Sequence, residues 1–330
     1  MNTEMHYEIE RRTFLKLSSA LLLSSAAPRL FAATKTAFTI YGAPALPSLT
    51  IAVATLQGQL AKQADTSLKI WKNPDQLRAG VASGEFKVMM SPSNVGVNLQ
   101  NQGQNVGMIN ILTNGIVQLL GKNDISSPEQ LVGKKVIMPF KNDMPDITFR
   151  ALLKQRGIDE SKVDITYTAT PAEAVSLFLT QPFDIAYLPE PLASACILKG
   201  KKMGVEVVRT FDFLQSWAES FNTQPIIPQA GIIANRDFYQ AHTAEFELLH
   251  QDLQNALTWV KNNPQSAAEI GTNYFPAPAP AIANAIPHAN LTVRKGSEIK
   301  EELLKFYDIV LRYNPKLLGG KLPADDFFLC

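Results

Sequence analysis

Two stretches of this chain repeat one pattern far apart in sequence. GEFKVMMSPSN (Gly84 to Asn94) overlays QPFDIAYLPEP (Gln181 to Pro191) so that Phe86 falls on Phe183, an apolar run follows each, Pro92 falls on Pro189, and Ser93 falls on Glu190. A second pair echoes them: PSLTIAVATL from Pro47 and PDITFRALL from Pro145 each follow a strand and a turn and open a helix. A chain that repeats strand, turn and helix start in this way is expected to build two equivalent α/β halves.

The rest of the sequence fits such halves. Strands are predicted at AFTIY, SLKIW, FKVMM, VGMINI, IVQLLG, KKVIM, DITYT, FDIAYL, VEVVRT and GIIAN, most of them followed by an amphipathic stretch. Alternation of this kind implies mostly parallel sheets layered between helices. From Ala244 onward the pattern turns helical, in FELLHQDLQNALTWV and EIKEELLKFYDIVLRY around a Pro- and Ala-rich segment from Pro276 to Pro287. With 330 residues, 46% of them apolar, the chain can bury the cores of two compact units. Its 31 Lys and Arg against 30 Asp and Glu leave no field that would attract nucleic acid or an anionic membrane.

The first 33 residues are expected to be a targeting segment. Arg11 and Arg12 open RRTFLK ahead of a short apolar run from Leu17 to Ala27, as in a signal peptide. Paired arginines before Phe14, Leu15 and Lys16 resemble the twin-arginine export signal, with Glu10 where that signal has Ser or Thr; an ordinary Sec signal is the alternative. Either places the mature chain in the periplasm. An exported chain whose only cysteines are Cys196 and Cys330 is no disulfide scaffold and has no Cys-rich metal site.

GEFKVMMSPSNVGVNLQNQG, LVGKKVIMPFKNDMPDITFRALLKQRGID and TPAEAVSLFLTQPFDIAYLPEPLASA, in that order and spacing, resemble the solute-binding proteins of ABC importers in the nitrate, sulfonate, taurine and pyrimidine-precursor group. The likeness runs from about Phe38 to about Tyr313. It implies a type II periplasmic-binding-protein fold: two α/β lobes joined by two crossovers that close around a small molecule, with no catalysis and no cofactor. On that reading lobe 1 comprises residues 34–113 and 229–330, and lobe 2 residues 114–228. The partners implied are the small-molecule ligand, an ABC permease in the inner membrane and the twin-arginine or Sec export machinery, the protein itself being a monomer.

Ligands of parallel α/β sheets bind outside the carboxyl ends of the strands, where loops and helix starts gather. The resemblance places the ligand loops of lobe 1 at Tyr41, Gly42, Ala43 and Pro44 and at Ser91, Ser93 and Asn94, with Asn114 at the first crossover and Asp143, Met144 and Glu190 in lobe 2. Anion binders of the group offer Ser, Thr and backbone N–H at the lobe 2 helix start, where the helix dipole is positive. Here that turn reads KNDMPD, so an oxyanion would meet Asp143 and Asp146. Both can instead cap the helix, which leaves Met144 as an adaptable apolar wall.

Glu190 poses the sharper question, because an unpaired carboxylate enclosed by cleft closure costs several kcal/mol, out of only about 8 kcal/mol that a micromolar ligand supplies. Either a base such as Lys141 or Arg150 pairs with it, or the ligand brings an N–H donor or a positive charge. The second reading favours an amine or a heterocycle. Tyr41 could stack on a planar ligand or pack in the core; Trp71 and Trp217 are weaker candidates, and Trp259 has the spacing of a packed helix face.

Three other classes compete. A pyrimidine-forming enzyme on the same fold would need a lysine-bound pyridoxal and a donor histidine, whereas His242, His250 and His288 all lie in the C-terminal third. Asp143, Asp146 and Glu190 could together hold a hard cation. A sensor that works without a transporter would look the same in sequence.

Overall fold

A computed structural model describes residues 35–330. The expected export segment over residues 1–33 lies outside the described residues. From Ala37 to Cys330 the chain forms one compact unit. Its strands are β1 (Ala37–Gly42), β2 (Asp65–Ile70), β3 (Val88–Pro92), β4 (Val106–Thr113), β5 (Val117–Gly121), β6 (Lys135–Pro139), β7 (Asp164–Thr168), β8 (Ile185–Pro189), β9 (Val208–Arg209), β10 (Ala230–Asn235) and β11 (Leu291–Lys295). Its helices begin with α1 (Pro47–Gln57), α2 (Leu60–Gln63), α3 (Pro74–Ala82), α4 (Ser93–Asn101), α5 (Met144–Gln155), α6 (Pro171–Thr180) and α7 (Leu192–Met203). They continue with α8 (Phe213–Phe221), α9 (Arg236–Ala241), α10 (Thr243–Asn262), α11 (Pro264–Gly271), α12 (Ala279–Ala285) and α13 (Lys300–Tyr313).

Two sheets result, ordered β11-β4-β10-β3-β1-β2 and β7-β6-β8-β5-β9. In the first, β1 runs parallel to β2 and β3; in the second, β6 runs parallel to β7 and β8. Each parallel trio is then flanked by an antiparallel strand that has just arrived from a crossover, β10 beside β3 and β5 beside β8. The internal echo therefore reaches the register: Pro92 sits opposite Ala230, the first residue of β10, and Pro189 sits opposite Val117, the first residue of β5. Proline suits the end of a ladder because it has no N–H to offer beyond it.

The sheets are mixed rather than mostly parallel, for a topological reason. A strand that enters a sheet at the carboxyl ends of its neighbours must run against them, and β5 and β10 both enter there. Strand β11 was not anticipated either. LTVRK alternates over only five residues behind a Pro- and Ala-rich segment, and it is held by pairing with β4 across a register shift.

Local chemistry sets the helix starts. Pro47 and Pro145 occupy the first turns of α1 and α5, where a missing N–H costs nothing. The Asp143 carboxylate accepts from the Met144 N–H, the Thr170 hydroxyl from the Glu173 N–H, and the Asp212 carboxylate from Leu214 and Gln215. Fully buried Phe38, Ile40, Leu46 and Leu49 fill the core of the first lobe. The lobes also pack on each other directly: Trp217 of α8, 1% exposed, meets Phe306 of α13 with ring centroids 6.1 Å apart. Trp217 thus belongs to the core, and half-buried Trp259 lies on α10.

Candidate functional site

The chain leaves the first sheet at Thr113, enters the second at Val117, and returns between Phe221 and Ala230. These crossovers are bonded to each other. The Ile227 N–H donates to the Asn114 carbonyl at 2.8 Å, and the Gln229 N–H to the Thr113 carbonyl at 3.3 Å. From them a ladder runs outward to both halves of the echo. The Ser93 N–H donates to the Gln229 carbonyl at 2.9 Å and its hydroxyl to the Pro228 carbonyl at 2.7 Å. The Gln229 Oε1 accepts from the Ile116 N–H at 3.0 Å, and the Ile116 carbonyl accepts from the Glu190 N–H at 2.9 Å. Ser93 and Glu190 thus flank the same pair of crossovers, joined through Gln229 and Ile116.

Glu190 is fully buried. One carboxylate oxygen accepts from the Arg209 guanidinium and the other from the Ser194 N–H at 3.0 Å, while Arg209 also donates to the Ser194 hydroxyl at 2.8 Å. Burial holds the Glu190 carboxyl above the usual carboxylate range, although Arg209 and Ser194 pull it down. This corrects the sequence reading at two points. The partner is Arg209, not Lys141 or Arg150, and the charge is matched within the protein, so it makes no demand on a ligand. Arg209 stands on a two-residue strand, β9, whose place beside β5 cannot be read from VEVVRT alone.

The other acidic groups are similarly committed. Asp146, fully buried, accepts from the Asn142 N–H and the Tyr167 hydroxyl and pairs with Arg150 at 3.1 Å. Burial, then the bond to Asp146, pushes the Tyr167 hydroxyl far above its ordinary range. Asp143 caps α5 and stays half-buried. Among the described residues no group of three or more His, Cys, Asp and Glu is arranged to hold a metal ion. The loop ahead of α5 also carries strain, since Phe140 and Asn142 have φ of 64° and 61°, a region that costs a side chain about 1–3 kcal/mol and that clusters at ligand clamps.

In the first lobe Gly42, Ala43, Ser91, Ser93 and Asn94 are buried, as is Met144 in the second. Helices α1 and α4 begin without a side-chain cap. In their first turns the Thr50 Oγ1 and the Asn94 Oδ1 are buried and have no hydrogen-bond partner. Tyr41 departs from the expected ligand contact: its ring stacks on Phe86 at 3.7 Å and its hydroxyl reaches Glu85, ahead of β3 and so away from the strand ends. Alternation along β1 turns it onto that face. Trp71, buried, ties the ends of two strands, its N–H bonding the Gly42 carbonyl and its indole N–H the Met90 carbonyl.

Asn114 stands apart from the strand-end loops. It lines a cavity of about 760 Å³ together with Pro225 and Ile226 of the second crossover and residues of α10 to β11. A smaller cavity of about 290 Å³ lies between Arg209 of the second lobe and His288 before β11. His288 is therefore not remote from the lobe junction, and the Gln118 amide donates to its carbonyl at 2.8 Å. Burial, and then the Arg209 charge, lower the imidazole's proton affinity.

Residues 62–267 match the protein family described as NMT1/THI5 like. No curated protein matches the chain. Among solved structures, an ABC transporter protein from Parabacteroides distasonis superposes with a TM-score of 0.73 at 20% identity, covering 89% of this chain and 98% of the other. The periplasmic aliphatic sulphonate binding protein SsuA from Escherichia coli superposes with a TM-score of 0.69 at 17% identity, covering 89% and 97%. The ligand-binding component of an ABC-type import system from Staphylococcus aureus, solved with zinc bound, gives 0.62 at 14% identity, covering 90% and 97%. At these identities the likeness is one of fold, the periplasmic-binding-protein fold.

Proposed function

Because the chain belongs to the NMT1/THI5 like family, we propose that it is the solute-binding protein of an ABC importer, exported to the periplasm, which captures a small molecule between its lobes and hands it to a membrane permease. Residues 34–113 with 229–330 form one lobe in this reading and residues 114–228 the other. The protein acts as a monomer and performs no chemistry on its ligand. The observation that carries the proposal is the hydrogen-bonded ladder from Ser93 through Gln229 and Ile116 to Glu190, which sets both halves of the echo against one hinge. Loops so placed close on each other when the crossovers bend.

The ligand is an amine or a nitrogen heterocycle, and two orphaned atoms support this better than Glu190 does. An N–H donor on the guest would satisfy the buried Asn94 Oδ1, and Thr50 accepts or donates as required. Nitrate or a sulfonate brings acceptors alone and would leave the Asn94 oxygen buried and unpaired, at a cost of about 1–3 kcal/mol. Half-buried Asp143 adds a carboxylate in the turn ahead of α5. Ser91, Ser93, Asn94, Asp143 and Met144 are the residues proposed to meet the ligand, with Gly42 and Ala43 shaping the loop beside them.

A thermal-melt screen across amines, nitrogen heterocycles, alkyl sulfonates and nitrate tests the proposal. A cognate ligand at a hundred times its dissociation constant adds about 2.7 kcal/mol of stability. Shifts produced by amines or heterocycles are expected, and they should be weaker in Asn94→Ala. Shifts from sulfonates or nitrate alone would overturn the ligand class, and a shift with no accompanying contraction in small-angle scattering would overturn hinge closure.

A further inference from the structure

The 760 Å³ cavity has the size of a small-molecule site, yet none of Ser91, Ser93, Asn94, Met144 or Glu190 lines it. Its wall is made of both crossovers, through Asn114, Pro225 and Ile226, and of lobe 1 segments from α10 to β11. The wall contains no acidic residue and one cation, Lys261, which is exposed and has no ion pair among the described residues. Amides and a hydroxyl supply the remaining polarity, through Gln265, Asn284, Asn290 and Thr292. Of these amides, Asn290 already donates to the Gly115 carbonyl at 2.9 Å.

We propose that this cavity is a second binding site, distinct from the strand-end cleft, for a small anion that carries hydroxyl groups, a hydroxylated monocarboxylate being the simplest member of that class. The ammonium of Lys261 meets the carboxylate as a point charge with three donors. The Gln265 and Asn284 side-chain amides, each both donor and acceptor, and the Thr292 hydroxyl match the ligand's hydroxyls. A polyol without charge would forgo the pairing with Lys261, and a plain fatty carboxylate would forgo hydrogen bonds to the amides. Both should bind more weakly than the hydroxylated anion.

Calorimetric titration with sodium gluconate, with sorbitol and sodium hexanoate as controls, decides the matter on the purified mature chain. Gluconate is expected to bind saturably, and at least ten times more tightly than either control. Lys261→Ala should weaken it about tenfold, and Asn284→Trp, which places an indole in the cavity, should abolish it. Asn94→Ala, in the strand-end cleft, should leave gluconate binding unchanged, which keeps this result separate from the fate of the transport ligand. The inference is overturned if gluconate does not saturate, if sorbitol or hexanoate binds as well, if binding survives Lys261→Ala undiminished, or if Asn94→Ala removes it. Should Asn284→Trp fail to fold, the Lys261→Ala titration still decides.

Discussion

Replacing Arg209 with Met would leave the Glu190 carboxylate fully buried with only Ser194 to meet it. Breaking a buried pair from one side costs about 3–5 kcal/mol, because the remaining charge stays uncompensated. Glu190 already holds its proton more tightly than an unfolded glutamate does, and without Arg209 it would hold it more tightly still. The loss is therefore full at pH 8 and shrinks as the pH falls toward the ordinary carboxylate range, where Glu190 becomes neutral in both states. Melting curves of Arg209→Met at pH 8 and pH 5 should show the larger deficit at pH 8. His288 behaves in the opposite sense. Its imidazole resists protonation in the folded chain, so stability is complete above its ordinary pKa of 6.5 and declines as the pH falls below it. In His288→Gln, melts between pH 7.5 and pH 5.5 should lose that part of the decline. Neither residue was identifiable as part of this junction from sequence, because Arg209 and His288 lie on different lobes and meet only through folding.

At the scale of elements, α5 depends on the turn that precedes it. Asp143→Ala removes the carboxylate that accepts from the Met144 N–H and should destabilise the protein by about 1 kcal/mol, measured by urea unfolding. A deficit far above this would mean that Asp143 also neutralises a group elsewhere. KNDMPD already displayed this cap, since an Asp before Met-Pro is a helix-start signature that needs no tertiary knowledge. The same stretch did not reveal that Asp146, one turn on, would be closed off by Tyr167 and Arg150, because Tyr167 comes from β7. Pro92 and Pro189 were legible as strand ends, and their equivalent registers bear the reading out. Strand β11 escaped notice because five alternating residues carry too little pattern to stand out.

Over the whole molecule, the lobes are held in their present relation by contacts that span the junction, among them α12 against α7 and α13 against α5. Gln118 of the second lobe donates to the His288 carbonyl, and Trp217 packs on Phe306. Gln118→Ala removes the first of these without opening a core cavity, so the ligand-free protein should scatter with a larger radius of gyration while its melting temperature changes little. An unchanged radius would mean that this bond does not restrain the lobes. Trp217→Ala, by contrast, empties a fully packed site and should cost about 3–5 kcal/mol in unfolding free energy.

By itself the sequence determined the class of architecture, because periodicity, proline placement and helix caps are local and survive without neighbours. Two repeated strand-turn-helix units, each ending its strand in proline, already implied two equivalent halves. Which charges remain available at the junction between them was decided only by tertiary structure. Pairing between Glu190 and Arg209, or between Asp146, Arg150 and Tyr167, depends on distances of a few ångströms between segments separated by whole elements, and a carboxylate's role changes with the partner that folding brings to it.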